Sequence, residues 1–255
     1  MTAVLEAEGI TKRYGHVTAL NEAAFEARAG EVTALIGDNG AGKSTLVKVL
    51  SGVIAPDDGT IRLGGEITPL DSPQHAKDLG IETVFQDLAL APELGPAENV
   101  FAGRELLRAG WLGKLGVLDK SEMRRRGLAA FVSMATDVKD MYAPVAALSG
   151  GQRQSVAICR SVMFASRVMF LDEPTAALGV RQTRNVLDLI KRVAAQGVAV
   201  ILISHNMPEI LEVSDRIEVL RLGRRVAQFV GSNVTVEDLV GAMTGALELR
   251  GERPK

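Results

Sequence analysis

The chain lacks most of what marks a secreted or membrane-embedded protein. It has one cysteine in 255 residues, Cys159, so no disulfide can form within it. That residue sits in the apolar run VAICRSVMF and reads as a small buried side chain. No stretch approaches the ~18 apolar residues that a membrane-spanning helix needs. The longest clean run, VAVILI from Val198 to Ile203, is strand length. The opening MTAVLEAEGITKRYG has no long apolar segment and carries Glu6 and Glu8, so no secretory signal is expected. These absences point to a cytosolic chain whose membrane role, if it has one, requires a partner. A basic excess is missing too: 29 Lys and Arg face 31 Asp and Glu, for a net charge of −2. Proteins that clamp duplex nucleic acid carry the opposite balance, so no nucleic-acid partner is expected.

What is present is an α/β pattern in one domain spanning 1–255. Hydrophobic residues make up 47% of the chain, enough for one substantial core. Short β-branched runs alternate with helical patterns. Glu31 to Ile36 reads as a buried strand, followed by a Gly-rich turn and a helix through Leu50. Thr60 to Leu63 and Ile81 to Gln86 read as further strands. Val168 to Asp172 and Val198 to Ser204 are nearly continuous apolar runs, which suit central parallel strands covered on both faces. Between them Val186, Ile190 and Val193 recur at helical spacing. Residues 89–165 have few strand-like runs and read as a mainly helical insertion. Within it, Arg124 to Arg126 reads as a solvated basic face. At the C-terminal end, 216–245, a hairpin is expected around Gly223-Arg224. A short helix then opens at Thr235, with Asp238 completing a capping box.

Three motifs carry chemistry. The first, GDNGAGKST from Gly37 to Thr45, matches G-x-x-x-x-G-K-[ST] and lies between a strand and a helix, where a phosphate loop belongs. Gly37, Gly40 and Gly42 let the backbone curl and, with Asp38, Asn39 and Ala41, aim N–H groups at an anion ahead of the helix N-terminus. Lys43 can place its charge on the β- and γ-phosphates, and the Ser44 hydroxyl can reach Mg²⁺. The second motif is VMFLDE, a buried strand that delivers Asp172 and Glu173 at its C-terminal end, where open parallel sheets bind ligands. Asp172 is placed to hold Mg²⁺ and Glu173 to act as general base on water. The third, LSGGQ, sets Ser149, Gly150, Gly151 and Gln152 at the start of a helix. That can be a second anion site or an ordinary helix cap.

The phosphate loop, LSGGQ, VMFLDE and His205 in LISHN, in this order and spacing, resemble the ATP-binding cassette (ABC) family over roughly residues 4 to 230. The resemblance implies a P-loop NTPase of ABC type, with a RecA-like core, a small antiparallel β-subdomain and a helical insertion subdomain. It implies MgATP as ligand and ATP hydrolysis as activity. It also assigns roles by motif. Tyr14 in KRYG would stack on adenine, Gln86 in VFQD would touch Mg²⁺ or water, and His205 would contact the γ-phosphate. Ser149 to Gln152 would face the nucleotide held by a second cassette, either a copy of this chain or a related one. One departure stands out. After DEPT the family usually reads Ala-Leu-Asp, whereas here Gly179 follows Ala177-Leu178. The missing carboxylate puts the usual cross-dimer contact in doubt.

The wording GDNGAGKST, GIETVFQDLAL, LSGGQRQ, DEPTAALGV and LISHNMPEI is most similar to ATPases of bacterial monosaccharide importers of the ribose, xylose and fructose type. That implies integral membrane permease subunits, a periplasmic or extracellular sugar-binding protein, and a peripheral position on the inner face of the cell membrane. Trp111, the single tryptophan, either anchors the permease contact or packs inside the helical segment. Other transporter classes compete with this reading. So do cassette proteins of translation or DNA repair, although those carry paired cassettes or long coiled coils that are absent here. A regulator that does not turn over is disfavoured by intact Lys43, Asp172, Glu173 and His205.

Overall fold

The computed structural model describes residues 3–134, 138, 140–176, 178–231 and 233–246. The chain divides into two compact units, the first comprising Met1–Thr83, Ala165–Glu173 and Ile190–Lys255, the second Val84–Phe164 and Pro174–Leu189.

The first unit is built on two sheets. β1 (Ala3–Tyr14) and β2 (Val17–Arg28) form a long antiparallel hairpin. Neither strand was legible in the sequence: several register shifts between them break the period-2 alternation that would have marked them. β3 (Val32–Ile36) is next in the chain, then α1 (Lys43–Leu50), β4 (Asp58–Leu63) and β5 (Glu66–Ile67). The first sheet has the order β2-β1-β4-β5. After α2 (Pro73–Asp78), capped by the Ser72 side chain, β6 (Ile81–Val84) completes the early part of the chain. β6 stops two residues short of the expected Gln86, which leaves Phe85 and Gln86 in a loop.

The second sheet also draws on elements from late in the chain. β7 (Val168–Asp172), β8 (Ala199–Ile203), β9 (Arg216–Arg221) and β10 (Arg224–Val230) join β3 and β6 in the order β10-β9-β3-β8-β7-β6. The run β9-β3-β8-β7 is parallel, and all five residues of β3 and of β8 are buried, as their largely apolar sequences require. On one face, Ala34, Ile36, Ile217 and Val219 pack with Ile210 and Leu239. These last two belong to α8 (Met207–Val213) and α9 (Val236–Thr244). The capping box of Thr235 and Asp238 at α9 is present as expected. The β9–β10 turn falls on Leu222-Gly223, one residue earlier than expected, with both residues at positive φ (50° and 76°). Two such residues suit the right-handed twist of the strands they connect.

The second unit is helical. It contains α3 (Pro96–Val100), α4 (Trp111–Lys114), α5 (Lys120–Ser133), a 3-10 turn (Val145–Ala147) and α6 (Gly150–Phe164). It also holds the start of α7 (Val180–Ala195), a part of the chain beyond the 89–165 insertion expected from sequence. α3, α5 and α6 pack on one another, with Phe101 edge-on to Phe164 at 5.9 Å. Arg124 departs from the expected solvated face. Its guanidinium pairs with Glu98 at 3.2 Å and lies 4.5 Å over the Tyr142 ring. Arg125 and Arg126 do stay on the exposed surface, both paired with Glu122.

Candidate active site

The loop after β3 carries the strongest candidate site. Gly37 and Gly42 are backbone requirements here. A Cβ on Gly37 would collide with the Leu220 carbonyl of β9, and one on Gly42, at φ 102°, would sit 2.6 Å from the Ala19 carbonyl. The loop is therefore wedged between β2 and β9, and only hydrogen fits. Ala41 N–H donates to the Asp38 carbonyl at 3.0 Å, and the Ala41 carbonyl accepts from Gly223 N–H at 2.9 Å. The β9–β10 hairpin thus braces the phosphate loop, a support that leaves no mark in the amino-acid sequence. Asp38, Asn39, Gly40 and Ser44 are exposed, while Thr45 is half-buried and leads into the buried face of α1. Lys43 folds back over its own loop, its Nζ donating to the Gly37 carbonyl at 2.7 Å and the Asp38 carbonyl at 3.1 Å.

The ends of β7 and β8 supply the charged partners. Asp172 is the last residue of β7, opposite Ile203 of β8. The next residue, Glu173, turns into the left-handed region at φ 51°, with its N–H donating to the Ile203 carbonyl at 2.9 Å. A non-glycine residue held there is strained, and such strain concentrates at functional positions. The turn directs Glu173 toward His205, which follows β8, and Nδ1 of His205 lies 2.8 Å from Glu173 Oε1. The two differ in accessibility: the His205 side chain is 81% exposed, that of Glu173 only 17%.

Electrostatics tie this group together. Burial raises the Asp172 pKa, the neighbouring Glu173 charge raises it further, and Lys43 opposes them. Burial lowers the Lys43 pKa, against the pull of Glu173, Asp172 and Asp38. The first unit therefore gathers Lys43, Asp172, Glu173 and His205 into one cluster: a cation beside an anion cradle, with two carboxylates at strand ends. This arrangement can hold a polyphosphate and activate water near it. Tyr14 also belongs to this unit, at the end of β1 before the Gly15-His16 turn, and is 49% exposed.

The other sequence candidates lie in the second unit. Gln86 is exposed in the loop after β6. Ser149 and Gln152 cap α6 reciprocally: Gln152 N–H donates to Ser149 Oγ at 3.3 Å, and Ser149 N–H donates to Gln152 Oε1 at 3.0 Å. This is a capping box written S-G-G-Q. Cap and anion site are thus compatible, because the cap fixes the N-terminal turn whose N–H groups an anion would meet. Beneath it is a small cavity of ≈ 60 Å³, lined by Ser149, Gly151, Gln152 and Ser155 together with Arg181 and Gln182 of α7. Trp111 does not pack inside the unit: it is 70% exposed, as is nearby Leu115 at 69%.

The family model described as ABC transporter matches residues 20–176. The chain belongs to the ABC transporter family. It is an ATP-binding, ATP-hydrolysing cassette. It is 47% identical to a fructose import ATP-binding protein of Rhizobium meliloti, over 96% of this chain and 95% of that protein. A xylose/arabinose import ATP-binding protein of Sulfolobus acidocaldarius is 40% identical, over 96% and 95%. A ribose import ATP-binding protein of Rubrobacter xylanophilus is 41% identical over 95% of this chain, which spans only 46% of that protein. Solved structures agree on the fold of the cassette. A nucleotide-free ATP-binding cassette from an ABC transporter superposes with a TM-score of 0.80 at 24% identity, covering 95% of this chain and 96% of the other. A dimeric cassette bound to ADP and Pi gives 0.76 at 24% identity, covering 89% and 98%. Among the described residues no helix is long and apolar enough to cross a membrane.

Proposed function

We propose that this cassette is the ATP-hydrolysing subunit of a bacterial monosaccharide importer. The observation that carries this reading is the 47% identity to a fructose import ATP-binding protein along nearly the whole of both chains. The cassette pairs with a second copy or a related cassette.

Within that reading the residues divide the work. The loop Gly37 to Thr45 cradles the triphosphate, and Lys43 supplies the point charge its outer phosphates require. Tyr14 offers a ring face to adenine. Glu173, oriented by the turn after β7, takes a proton from the attacking water. His205, exposed and within hydrogen-bond distance of Glu173, orients that carboxylate and meets the γ-phosphate. Gln86 acts on the water or on Mg²⁺, a role drawn from its VFQD motif. The capped turn at Ser149 to Gln152 closes over nucleotide bound by the partner cassette.

The donor set fits Mg²⁺. Ser44 and Asp172 offer hard oxygen donors, and a cation bound through one or two such groups, phosphates and water is the usual Mg²⁺ arrangement. Burial, and after it the neighbouring Glu173 charge, raises the Asp172 pKa, and Lys43 only partly opposes them. When bound, Mg²⁺ would neutralise charge on the β- and γ-phosphates. The chain itself then sits on the cytoplasmic face of the membrane through permease subunits, with a sugar-binding protein serving them from outside. Leu107, Trp111, Leu115 and Val117, close in sequence and all exposed, offer apolar side chains that suit such a contact.

Deleting the gene and measuring uptake across a panel of pentoses and hexoses tests the proposal. Loss of uptake of one sugar is expected, restored by the wild-type gene and not by one encoding Glu173→Gln. Normal uptake of every sugar would overturn the importer reading. Copurification from detergent extracts should yield a permease, with the yield reduced by Trp111→Ala.

A further inference from the structure

The loop between β6 and α3, residues 85–95, carries Gln86 and contains neither helix nor strand. Inside the second unit it is fastened at both ends to the segment bearing Ser149 to Gln152. Toward its start, Arg160 of α6 donates through one guanidinium nitrogen to the Ala89 carbonyl and through another to the Leu88 carbonyl, each at 3.1 Å. Toward its end, Val145 N–H donates to the Leu94 carbonyl and Ala146 N–H to the Pro92 carbonyl, both at 2.9 Å. These two donors lie in the 3-10 turn directly before Leu148. Buried Asn99 of α3 closes the rest of the loop: its Oδ1 accepts from Ala91 N–H at 2.7 Å, and its Nδ2 donates to the Ala91, Leu94 and Gly95 carbonyls at 3.0–3.1 Å.

Two features single out Arg160. Ala89 sits at φ 48°, a conformation a non-glycine residue keeps only where its surroundings over-determine it. The guanidinium on its carbonyl is one such determinant. The contact also uses the planar fork of arginine, which reaches two consecutive carbonyls where a lysine ammonium acts as a single point. Of the links between this loop and α6 or the turn before it, the backbone ones survive any side-chain change, whereas the Arg160 fork can be removed. Arg160 lies about 15 Å along α6 from Gly150 at 1.5 Å per residue, so a stiff helix joins the fork to the signature turn.

We propose that Arg160 is a positioning residue for hydrolysis, latching the Gln86 loop to the helix that carries Ser149 to Gln152 so that the two move as one body. The inference rests on the reading that Gln86 takes part in hydrolysis. Arg160 itself touches no substrate. Its loss leaves the phosphate loop intact and uncouples Gln86 from the signature turn.

The test is a double-mutant cycle on steady-state ATP turnover by the full chain, with Gln86→Ala, Arg160→Met, Arg160→Lys and the doubles. Arg160→Met should lower kcat at least about tenfold with KM for ATP within about threefold, and Arg160→Lys should fall between it and wild type. Gln86→Ala with Arg160→Met should be no slower than about twofold below Gln86→Ala alone, because residues acting as a unit are not additive. A merely structural role would lower Tm and multiply with Gln86→Ala. Should Arg160→Met fail to fold, the cycle with Arg160→Lys decides. An impaired Gln86→Ala beside an unimpaired arginine variant, or losses that multiply, would overturn the latch. A wild-type-like Gln86→Ala would instead sink the underlying role of Gln86.

Discussion

Replacing Glu173 with glutamine separates geometry from proton transfer, because the structure indicates that little else should change. The residue is at φ 51°, and glutamine inherits that strain unaltered. Its N–H keeps the bond to the Ile203 carbonyl, which the side chain does not influence. An amide Oε1 accepts from His205 Nδ1 as a carboxylate oxygen does, so the 2.8 Å contact survives. The expected effect on Tm is within about 2 °C, less than the shift of roughly 1 kcal/mol in a chain this size. The expected effect on turnover is at least ~100-fold, the low end for loss of a general base. ATP binding should stay within about threefold of wild type, because Lys43 and the loop are untouched. With hydrolysis blocked and nucleotide retained, the variant should accumulate as an ATP-dependent dimer. Single-turnover hydrolysis, nucleotide titration and light scattering with and without MgATP measure these quantities separately. Turnover within tenfold of wild type would remove Glu173 as the base. A Tm loss above 5 °C would show that the change disturbed the fold, and Glu173→Asp would then have to carry the comparison.

Lys43→Ala should abolish hydrolysis and weaken ATP binding at least about tenfold, since the loop N–H groups alone cannot replace a point charge on the outer phosphates; wild-type turnover would mean the loop is misassigned. Gly179→Ala should fold and turn over normally. Gly179 is outside the left-handed region, and among the described residues an added Cβ would meet the Gln182 side chain alone, its amide oxygen at 2.9 Å being the movable end of a flexible side chain. Stability should change by no more than about 1 kcal/mol, and a stable variant with collapsed ATPase would refute the idea that glycine here is a shortened aspartate. Asp172→Asn should lose turnover yet stabilise the nucleotide-free protein at neutral pH. The folded-state pKa of Asp172 is raised, chiefly by burial and then by Glu173. Its favourable contribution is therefore present below the unfolded value and lost as pH rises through the folded one. The Tm difference between variant and wild type should thus grow from acid toward neutral pH. A difference that shrinks on that path would contradict the assigned cause.

The elements most legible in the sequence were those whose burial is complete. β3, β7 and β8 are largely apolar and almost wholly buried, and their ends could be placed to within about one residue. The periodicity of Val186, Ile190 and Val193 located α7, and all three are buried. β1 and β2 failed the same test. A hairpin with one outer face and repeated bulges shows no clean alternation, and Glu22 at φ 54° interrupts it further. The basic triplet misled in part because charge alone does not say which arginine finds a partner; Glu98 and Tyr142 are distant in sequence from Arg124.

The candidate site was legible for a different reason. Phosphate chemistry restricts residue type at almost every position of the loop, so the motif is written in glycines and a lysine that no other role demands in that order. Its supports face no such restriction. Gly223 braces Ala41 through a backbone hydrogen bond, and the Leu220 carbonyl excludes any side chain from Gly37. Many residues could supply that carbonyl or that N–H, so neither contact leaves a mark on sequence. The loop after Gln86 is a mixed case: main-chain groups of the turn before Leu148 hold its end, while the Arg160 and Asn99 side chains meet main-chain groups of the loop itself. Sequence reading therefore finds groups chosen for their chemistry and passes over groups chosen for their position. Arg160 lies between the two kinds, since only an arginine supplies the fork and only the fold shows what it holds.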